Sequence, residues 1–380
     1  MPDEHALLSA SSSWRWLHCT PSARLEAAMP EETSEYAEEG TRAHAVAEKR
    51  LKHFLFSGEL YKEPFEDVDA EMWDATGRYV DTCVEKINEA RAASPDARTG
   101  VEVQLKFDRW VPKGFGTGDC VLVSDKYIEV VDLKYGKGVP VSAEGNTQMR
   151  LYALGALAEY GNYYAAGKVR MTIVQPKLDS ISTDEMTTAD LLSWGDTIQP
   201  IALRAWRGEG AKEAGGWCRF CKARNTCRAL HDKMLEGVKT DFEAAELSPE
   251  EITDVLRKAK DIKRWLDSLE DYALGEALRG KMLPHMKLVE GRSTRRITDE
   301  EAAAARLQRA GYSDASIWKP WQLQSITALE KLVGKGKLKD LLGDLIEKPK
   351  GKPTLVSEDD HRPPMESEAA DAGDFDDSLL

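Results

Sequence analysis

Two short apolar segments that are separated by only two residues constrain the fold of this chain more than any other feature. Cys120 to Ser124 and Tyr127 to Lys134 both have strand-like composition, and Asp125-Lys126 lies between them. Such a pattern predicts a β-hairpin with a two-residue loop. If the residues that flank the loop pair with each other, counting back along the strands puts Asp119 directly opposite Asp132. Side chains at opposed positions have Cβ atoms about 4.5–5.5 Å apart.

The predicted hairpin carries two carboxylates and a lysine in a D…D-x-K arrangement. Because side chains alternate along a strand, Asp132 and Lys134 share one face. Two opposed carboxylates repel each other unless they share a cation, and Mg²⁺ is held by such groups together with waters and phosphate oxygens. Lys134 would then orient an attacking water or neutralise charge in the transition state. The alternative is a solvated hairpin whose outer face carries these charges without a ligand.

Three further residues are candidates for the same site. Gln148 and Tyr152 are four positions apart at the start of a predicted helix, so they lie on one helix face. His44 follows Gly40-Thr41 at the beginning of an amphipathic segment, and its imidazole could bind a metal ion. Each residue taken singly also fits an ordinary helix surface or a packing position.

The six cysteines fall into two groups. Cys83 and Cys120 lie in apolar or mixed surroundings and are interpreted as packing residues. The remaining four form a candidate metal site: Cys19, Cys218, Cys221 and Cys227. In a reduced compartment, cysteines at C-x2-C-x5-C spacing indicate metal binding rather than disulfides. Iron–sulfur and zinc both accept four thiolates, although zinc more often uses two C-x2-C pairs; unligated thiols are the third alternative.

The order of the nuclease-like motifs resembles the RecB-like branch of the PD-(D/E)xK nucleases. The motifs are G-T-x-x-H ending at His44, G-x-x-D ending at Asp119, D-x-K from Asp132 to Lys134, and Q-x-x-x-Y from Gln148 to Tyr152. The resemblance implies an α/β, restriction-endonuclease-like core, in which helices flank a mixed central sheet. It also implies Mg²⁺ or Mn²⁺ held by His44, Asp119 and Asp132. The catalytic residues that it implies are Asp119, Asp132, Lys134, Gln148 and Tyr152.

The cysteine arrangement resembles the iron–sulfur clasp of bacterial helicase–nuclease subunits and of CRISPR adaptation nucleases. In those relatives a [4Fe–4S] cluster joins one N-terminal cysteine to a C-terminal trio. Here the four cysteines would span residues 19–227, a range that contains every nuclease motif. The resemblance therefore implies a [4Fe–4S] cluster, with structural Zn²⁺ as the alternative. Either metal would join the two ends of the nuclease domain.

Three regions are predicted along the chain. Residues 1–240 form the nuclease domain with its clasp, 241–347 a mostly helical accessory domain, and 348–380 a disordered acidic tail. In the second region, Ser248-Pro249 starts a long helix. The whole chain also resembles a phage-encoded family, labelled only as a domain of unknown function, that occurs among replication and recombination genes. The segments Lys287–Ser293 and Gly351–Ser357 carry this closer resemblance.

Charge and hydropathy bear on partners and location. The net charge is −14, but nine acidic residues and one arginine lie between Glu358 and Leu380, whereas residues 204–233 hold eight basic and three acidic residues. The overall acidity therefore does not exclude DNA as a partner. No apolar segment approaches the length of a membrane span, so we expect a cytoplasmic protein without a membrane partner. The end of the tail, Asp374 to Leu380, resembles the tails of single-strand binding proteins and suggests replication or recombination proteins as partners.

These patterns together predict a function. We expect a Mg²⁺- or Mn²⁺-dependent deoxyribonuclease of phage replication or recombination, with exonuclease action on single strands or DNA ends. The alternative is a non-catalytic DNA-binding or assembly module that retains the fold for its stability.

Overall fold

The computed structural model divides the chain into two compact units, Met1–Glu243 and Ala244–Leu380. The structure describes the following residues: 6–30, 35–236, 249–281, 283–291, 296–319, 322–347, 349, 353–357 and 362–365. Within these residues, no helix combines the length and the apolar character that crossing a membrane requires.

The first unit has a sheet in its middle and helices on both sides. Its elements are α1 (Ser13–His18), α2 (Ser22–Ala27), α3 (Glu35–Ser57), α4 (Ala70–Ala93), β1 (Arg98–Lys106), β2 (Phe115–Val123), β3 (Tyr127–Leu133), α5 (Thr147–Tyr160), β4 (Lys168–Gln175), β5 (Ser180–Thr187), α6 (Thr188–Arg207) and α7 (Arg228–Glu236).

The five strands of this sheet run in the order β1-β2-β3-β4-β5. Strands β1, β2 and β3 are antiparallel neighbours, β3 and β4 are parallel, and β5 is antiparallel to β4. The parallel step requires a crossover, which α5 supplies. Every residue of the central strand β3 is buried, because helices cover both faces of the sheet.

The two faces of the sheet have separate apolar cores. On one face, α5 and α6 pack over Ile128 and Val130 of β3. On the other, α3 and α4 pack over Val131 and Leu133. The alternation of side chains along one strand thus supplies both cores. Asn146 caps α5, since its side chain accepts a hydrogen bond from the backbone N–H of Met149, which fixes where the first turn of this helix begins.

The second unit is mostly helical. Its elements are α8 (Pro249–Leu278), β6 (Met286–Glu290), β7 (Arg296–Ile297), α9 (Glu300–Arg309), α10 (Asp314–Ile317), β8 (Trp318–Lys319), β9 (Gln322–Leu323), α11 (Ile326–Val333), α12 (Lys335–Leu342), β10 (Ile346–Glu347) and β11 (Pro353–Ser357). Leu307, Leu329 and Leu342 belong to its small core.

The structure confirms the predicted fold class, a mixed sheet flanked by helices with a helical C-terminal part, and differs at two places. Strand β5 was not predicted from the sequence. It is an edge strand with half-exposed and exposed residues in alternation. The prediction of disorder from residue 348 onward is wrong for β11, because Pro353–Ser357 pairs with β6. This pairing satisfies backbone N–H and C=O groups that would be hydrogen-bonded to water in a disordered tail. The acidic end of the tail, residues 366–380, lies outside the described residues.

Candidate functional site

The predicted hairpin has the register on which the carboxylate pair depends. Cys120 pairs with Val131, and the backbone N–H of Ser124 donates to the carbonyl of Tyr127 across the turn. Continuing this register by one residue puts Asp119 opposite Asp132. Asp119 is 8% exposed and Asp132 is 2% exposed. The two carboxylates are therefore buried rather than part of a solvated outer face.

Asp119 is anchored by two neighbours. Its Oδ2 accepts a hydrogen bond from the backbone N–H of Leu133 at 2.7 Å. Its Oδ1 lies 3.3 Å from Nδ1 of His44, which α3 carries to this end of β2. Burial acts to lower the pKa of His44, but the hydrogen bond to Asp119 and the charges of Asp119 and Asp132 raise it above its ordinary value. The imidazole thus stands in a negative field of the kind that attracts a cation.

Glu102 joins this pair, although it was not predicted from the sequence. Ligand atoms of His44, Glu102 and Asp119 all lie within 4.8 Å of one another. On β1, the pairs Val101–Cys120 and Val103–Gly118 flank Glu102, so it faces Asp119 in register.

The backbone of Glu102 is strained. Its φ of 54° lies in the left-handed region that a residue with a side chain rarely adopts. This conformation interrupts the alternation of β1, since Val101 packs against one core and Val103 against the other. Strain of this type costs about 1–3 kcal/mol and concentrates at functional sites. The strain at Glu102 accompanies a carboxylate that is turned toward His44 and Asp119.

Asp132 is held by a lysine and an amide. Lys134 Nζ lies 2.6 Å from Asp132 Oδ2, and Gln148 Nε2 donates to Asp132 Oδ1 at 3.3 Å. Burial raises the pKa of the Asp132 carboxyl; Lys134 opposes this shift and Asp119 adds to it. The side chains of Lys134 and Asp132 are thus paired as D-x-K alternation predicts.

Tyr152 completes the group from the second turn of α5. Gln148 Nε2 lies 3.3 Å from the Tyr152 hydroxyl, as expected for residues four positions apart on one helix face. The ring of Tyr152 lies close to the backbone of β2, and a Cβ atom on Gly116 would come within 2.7 Å of it. The glycine of the G-x-x-D motif therefore makes room for the tyrosine of the Q-x-x-x-Y motif. Burial also raises the pKa of the Tyr152 hydroxyl, so this group stays protonated.

The environment of Glu102 predicts a pH-dependent effect on stability. Burial and the nearby charge of Asp119 raise the pKa of Glu102 from 4.5 to about 7. Because the pKa of Glu102 is higher in the folded than in the unfolded protein, protonated Glu102 favours the folded state relative to its ionised form. This contribution to the free energy of unfolding is fully present below pH 4.5 and is lost as the pH rises through about 7. In metal-free protein we expect Glu102→Gln to raise the melting temperature relative to wild type at pH 8 but not at pH 4. Thermal unfolding in EDTA measures this, and an equal difference at both pH values would contradict it.

All four clasp cysteines line one pocket of the first unit. Apolar neighbours such as Leu25, Ala223 and Leu230 complete its wall. Burial raises the pKa of the Cys221 thiol to about 11 and also raises that of Cys218. Among the described residues, however, no three of the cysteine sulfurs lie within 4.8 Å of one another. The structure thus brings the cysteines to one pocket without forming a tight thiolate cluster, whereas Cys83 and Cys120 are buried core residues, as predicted.

The chain segments around this pocket are held together by polar contacts. Glu26 bridges both sides: it forms an ion pair with Arg15, and its Oε1 accepts a hydrogen bond from the backbone N–H of Lys222 at 2.8 Å. Arg15 also donates to the carbonyl of Phe220 at 3.3 Å, and Arg24 donates to that of Trp206 at 2.7 Å. The N-terminal helices α1 and α2 are therefore joined to the cysteine-rich segment by hydrogen bonds that need no metal.

Comparisons with known proteins assign the chain to a family. A family model described as "Protein of unknown function (DUF2800)" matches residues 5–363. The chain belongs to this family. Among solved structures, a "putative exonuclease" from Eubacterium rectale aligns with 12% identity and a TM-score of 0.30, covering 65% of this chain and 92% of that one. The structure of SSO0001 aligns with 16% identity and a TM-score of 0.23, covering 55% and 93% respectively. Family membership is what these comparisons establish.

Proposed function

We propose that this member of the DUF2800 family is a divalent-metal-dependent nuclease that hydrolyses phosphodiester bonds of DNA. The observation that carries the proposal is the convergence of His44, Glu102 and Asp119 beside the Asp132–Lys134 ion pair. A module that only binds DNA has no need of such a group. Two buried carboxylates without a metal ion repel each other and cost desolvation free energy.

The residues of the site fit a hard divalent cation. Oxygen ligands bind Mg²⁺ at about 2.0–2.1 Å and Ca²⁺ at about 2.3–2.6 Å, so atoms within about 4–5 Å of one another can share one ion. The spacing among His44, Glu102 and Asp119 meets this requirement, and Asp132 lies opposite Asp119. When bound, Mg²⁺ or Mn²⁺ would lower the pKa of a coordinated water and polarise the scissile phosphate.

The remaining side chains have roles that follow from their contacts. Lys134 keeps a cationic group beside Asp132, where it can orient the attacking water and stabilise negative charge on the phosphoryl oxygens. Gln148 holds one oxygen of Asp132, so the other oxygen stays directed toward Lys134. Tyr152 acts through Gln148 as a positioning residue because its hydroxyl contacts that amide.

Two resemblances, that of the motif order to RecB-like nucleases and that of the whole chain to a phage-encoded family, support the finer parts of the proposal. These are exonuclease action on single-stranded DNA or DNA ends, and a role in phage replication or recombination. The acidic tail stays a predicted contact for a single-strand binding protein or another replication partner.

The cysteine pocket is part of the same proposal. We infer that Cys19, Cys218, Cys221 and Cys227 hold a [4Fe–4S] cluster that joins the two ends of the nuclease unit. The resemblance of the cysteine arrangement to the iron–sulfur clasp supports the cluster. Structural zinc, which four thiolates also accept, is the alternative. Apolar walls around the pocket are consistent with a buried cluster.

The experiment that tests the proposed activity is degradation of end-labelled DNA by anaerobically purified protein. Single-stranded, blunt and overhanging duplex substrates are incubated with Mg²⁺, Mn²⁺ or EDTA. Metal-dependent products are expected, and their ladder reports polarity and strand preference. If cluster-loaded protein cleaves none of these substrates, the non-catalytic DNA-binding module is the better description.

A further inference from the structure

A group of aromatic side chains lies at the cysteine pocket, which one of them, Trp217, helps to line, and none of them takes part in the proposed hydrolysis. We call Trp14, His18, Trp217 and Phe220 the aromatic surface. The ring of His18 stacks on that of Trp217 with centroids 4.2 Å apart, and Trp14 meets Trp217 edge to face at 6.1 Å. Trp14 is 52% exposed and Phe220 is 66% exposed. Large aromatic side chains that remain this exposed in one place mark an interaction site.

The aromatic surface is held in position by its own backbone contacts. His18 Nδ1 lies 2.7 Å from the carbonyl of Trp14, and Trp217 Nε1 donates to the carbonyl of Glu213 at 2.8 Å. Trp14 lies close above Gly216, where a Cβ atom would come within 2.8 Å of its ring. The rings of Trp14, His18 and Trp217 are therefore set in a fixed arrangement before any ligand arrives, which lowers the entropy lost on binding.

Three exposed cations lie near the aromatic surface, together with the exposed carboxylate of Glu213 beside Trp217. Arg219, Lys222 and Arg228 are exposed in this segment. The ion pairs of the segment join Arg15 to Glu26 and His231 to Asp232, so no described carboxylate forms an ion pair with the three exposed cations. Aromatic rings that alternate with such cations match a single-stranded nucleic acid, whose bases stack on the rings while the phosphates contact the cations.

A partly buried contact joins the helix that carries Trp14 to the helix that carries Gln148. The hydroxyls of Ser13 and Thr147 are 2.6 Å apart. Ser13 precedes Trp14, and Thr147 precedes Gln148, whose amide contacts Asp132. Ser13 is 1% exposed, so its hydroxyl lies in the interior. The contact fixes α1, which carries Trp14, against α5, whose Gln148 contacts Asp132.

We propose that the aromatic surface binds an unpaired DNA strand by base stacking, in the same unit as the metal site. The inference rests on the proposed nuclease function and assigns it a substrate class. Duplex DNA cannot use this surface in the same way, because its bases are already stacked on each other and present only their edges. The proposed surface therefore discriminates between single and double strands.

The test measures binding without hydrolysis. Fluorescence anisotropy in EDTA follows the binding of a labelled oligothymidylate and of a duplex of equal length to the full-length, anaerobically purified chain. Alanine substitution of a stacking residue weakens single-strand binding by roughly fivefold to a hundredfold, so Trp14→Ala and Phe220→Ala should each show such a loss. Trp14→Phe, which keeps a ring, should recover most of it. Phe56→Ala is the matched control, since Phe56 is 95% exposed on α3.

The possible outcomes separate this inference from the nuclease proposal. Loss of single-strand binding in the two alanine variants, with duplex binding and Phe56→Ala unchanged, supports the aromatic surface even if no cleavage is ever observed. Single-strand binding within twofold of wild type in both variants overturns it, even if wild type cleaves DNA. Equal losses for single strands and duplexes also overturn it. If Trp14→Ala lowers the melting temperature, Phe220→Ala decides the question, because that side chain is the more exposed.

Discussion

Replacing Lys134 with methionine should lower the rate of metal-dependent DNA cleavage by about a hundredfold to a thousandfold, the effect of removing one preorganised group that stabilises transition-state charge. Methionine keeps most of the length and apolar volume of the lysine stem but removes the ammonium group that lies 2.6 Å from Asp132 Oδ2. The rate is measured on end-labelled DNA with saturating Mn²⁺. Because Lys134 is not a proposed ligand, Mn²⁺ should still bind, and calorimetric titration of the same variant checks this.

Lys126→Met is the matched control for this prediction. Lys126 is exposed in the turn at the other end of the same hairpin, so its loss removes an equal charge far from the carboxylates along β3. It should leave the cleavage rate within about twofold of wild type, as most surface substitutions do. A Lys134→Met protein that binds Mn²⁺ and cleaves DNA at nearly the wild-type rate would contradict the role of Lys134.

Loss of one clasp cysteine should have the largest effect on stability. In Cys221→Ser protein prepared anaerobically, we expect the brown colour and the absorbance near ~400 nm of thiolate-bound iron–sulfur to disappear. A structural metal contributes folding free energy directly. Loss of several kcal/mol from a unit of this size lowers the melting temperature by roughly 10–20 °C. Thermal unfolding together with metal analysis measures both effects.

Cys83→Ala provides the control for Cys221→Ser. Cys83 is also buried, between α4 and the sheet, and its removal leaves a small cavity but no missing metal ligand. This variant should keep the wild-type absorbance and lose only about 1 kcal/mol. Colourless wild-type protein with one zinc per chain would establish the zinc alternative. Wild-type protein without iron or zinc that is as stable as Cys221→Ser would exclude a metal at the clasp.

Some parts of the site could be predicted from the sequence because local geometry leaves few choices. A two-residue loop fixes the register of a hairpin, which is why Asp119 was expected opposite Asp132. Helical spacing likewise predicted that Gln148 would contact Tyr152. In both cases the relevant residues are close along the chain, and one periodicity decides their relative positions.

Other parts depend on long-range packing and were missed. Glu102 reaches the site from β1, whose connection to β2 is too long for the register to be counted. Its positive φ also reverses the face that strand alternation would give. Strand β5 was missed because an edge strand buries only one side, so Ser180–Thr187 has few apolar residues. Which metal four cysteines can bind depends on the distances among sulfurs from both ends of the unit, which spacing along the chain does not determine.

The contacts between α1, α2 and the cysteine-rich segment have a consequence for biosynthesis. Arg15 and Glu26 contact Phe220 and Lys222, so these particular contacts form only after about 200 further residues have been made. At about 5–20 residues per second, a ribosome needs roughly 10–40 seconds for that distance. During this interval the hairpin with Asp119 and Asp132 has already been made, but the unit is not yet closed. Truncated chains that end before residue 227 should therefore be recognised by cellular proteases, because the segment that closes the first unit is the last part of that unit to be made.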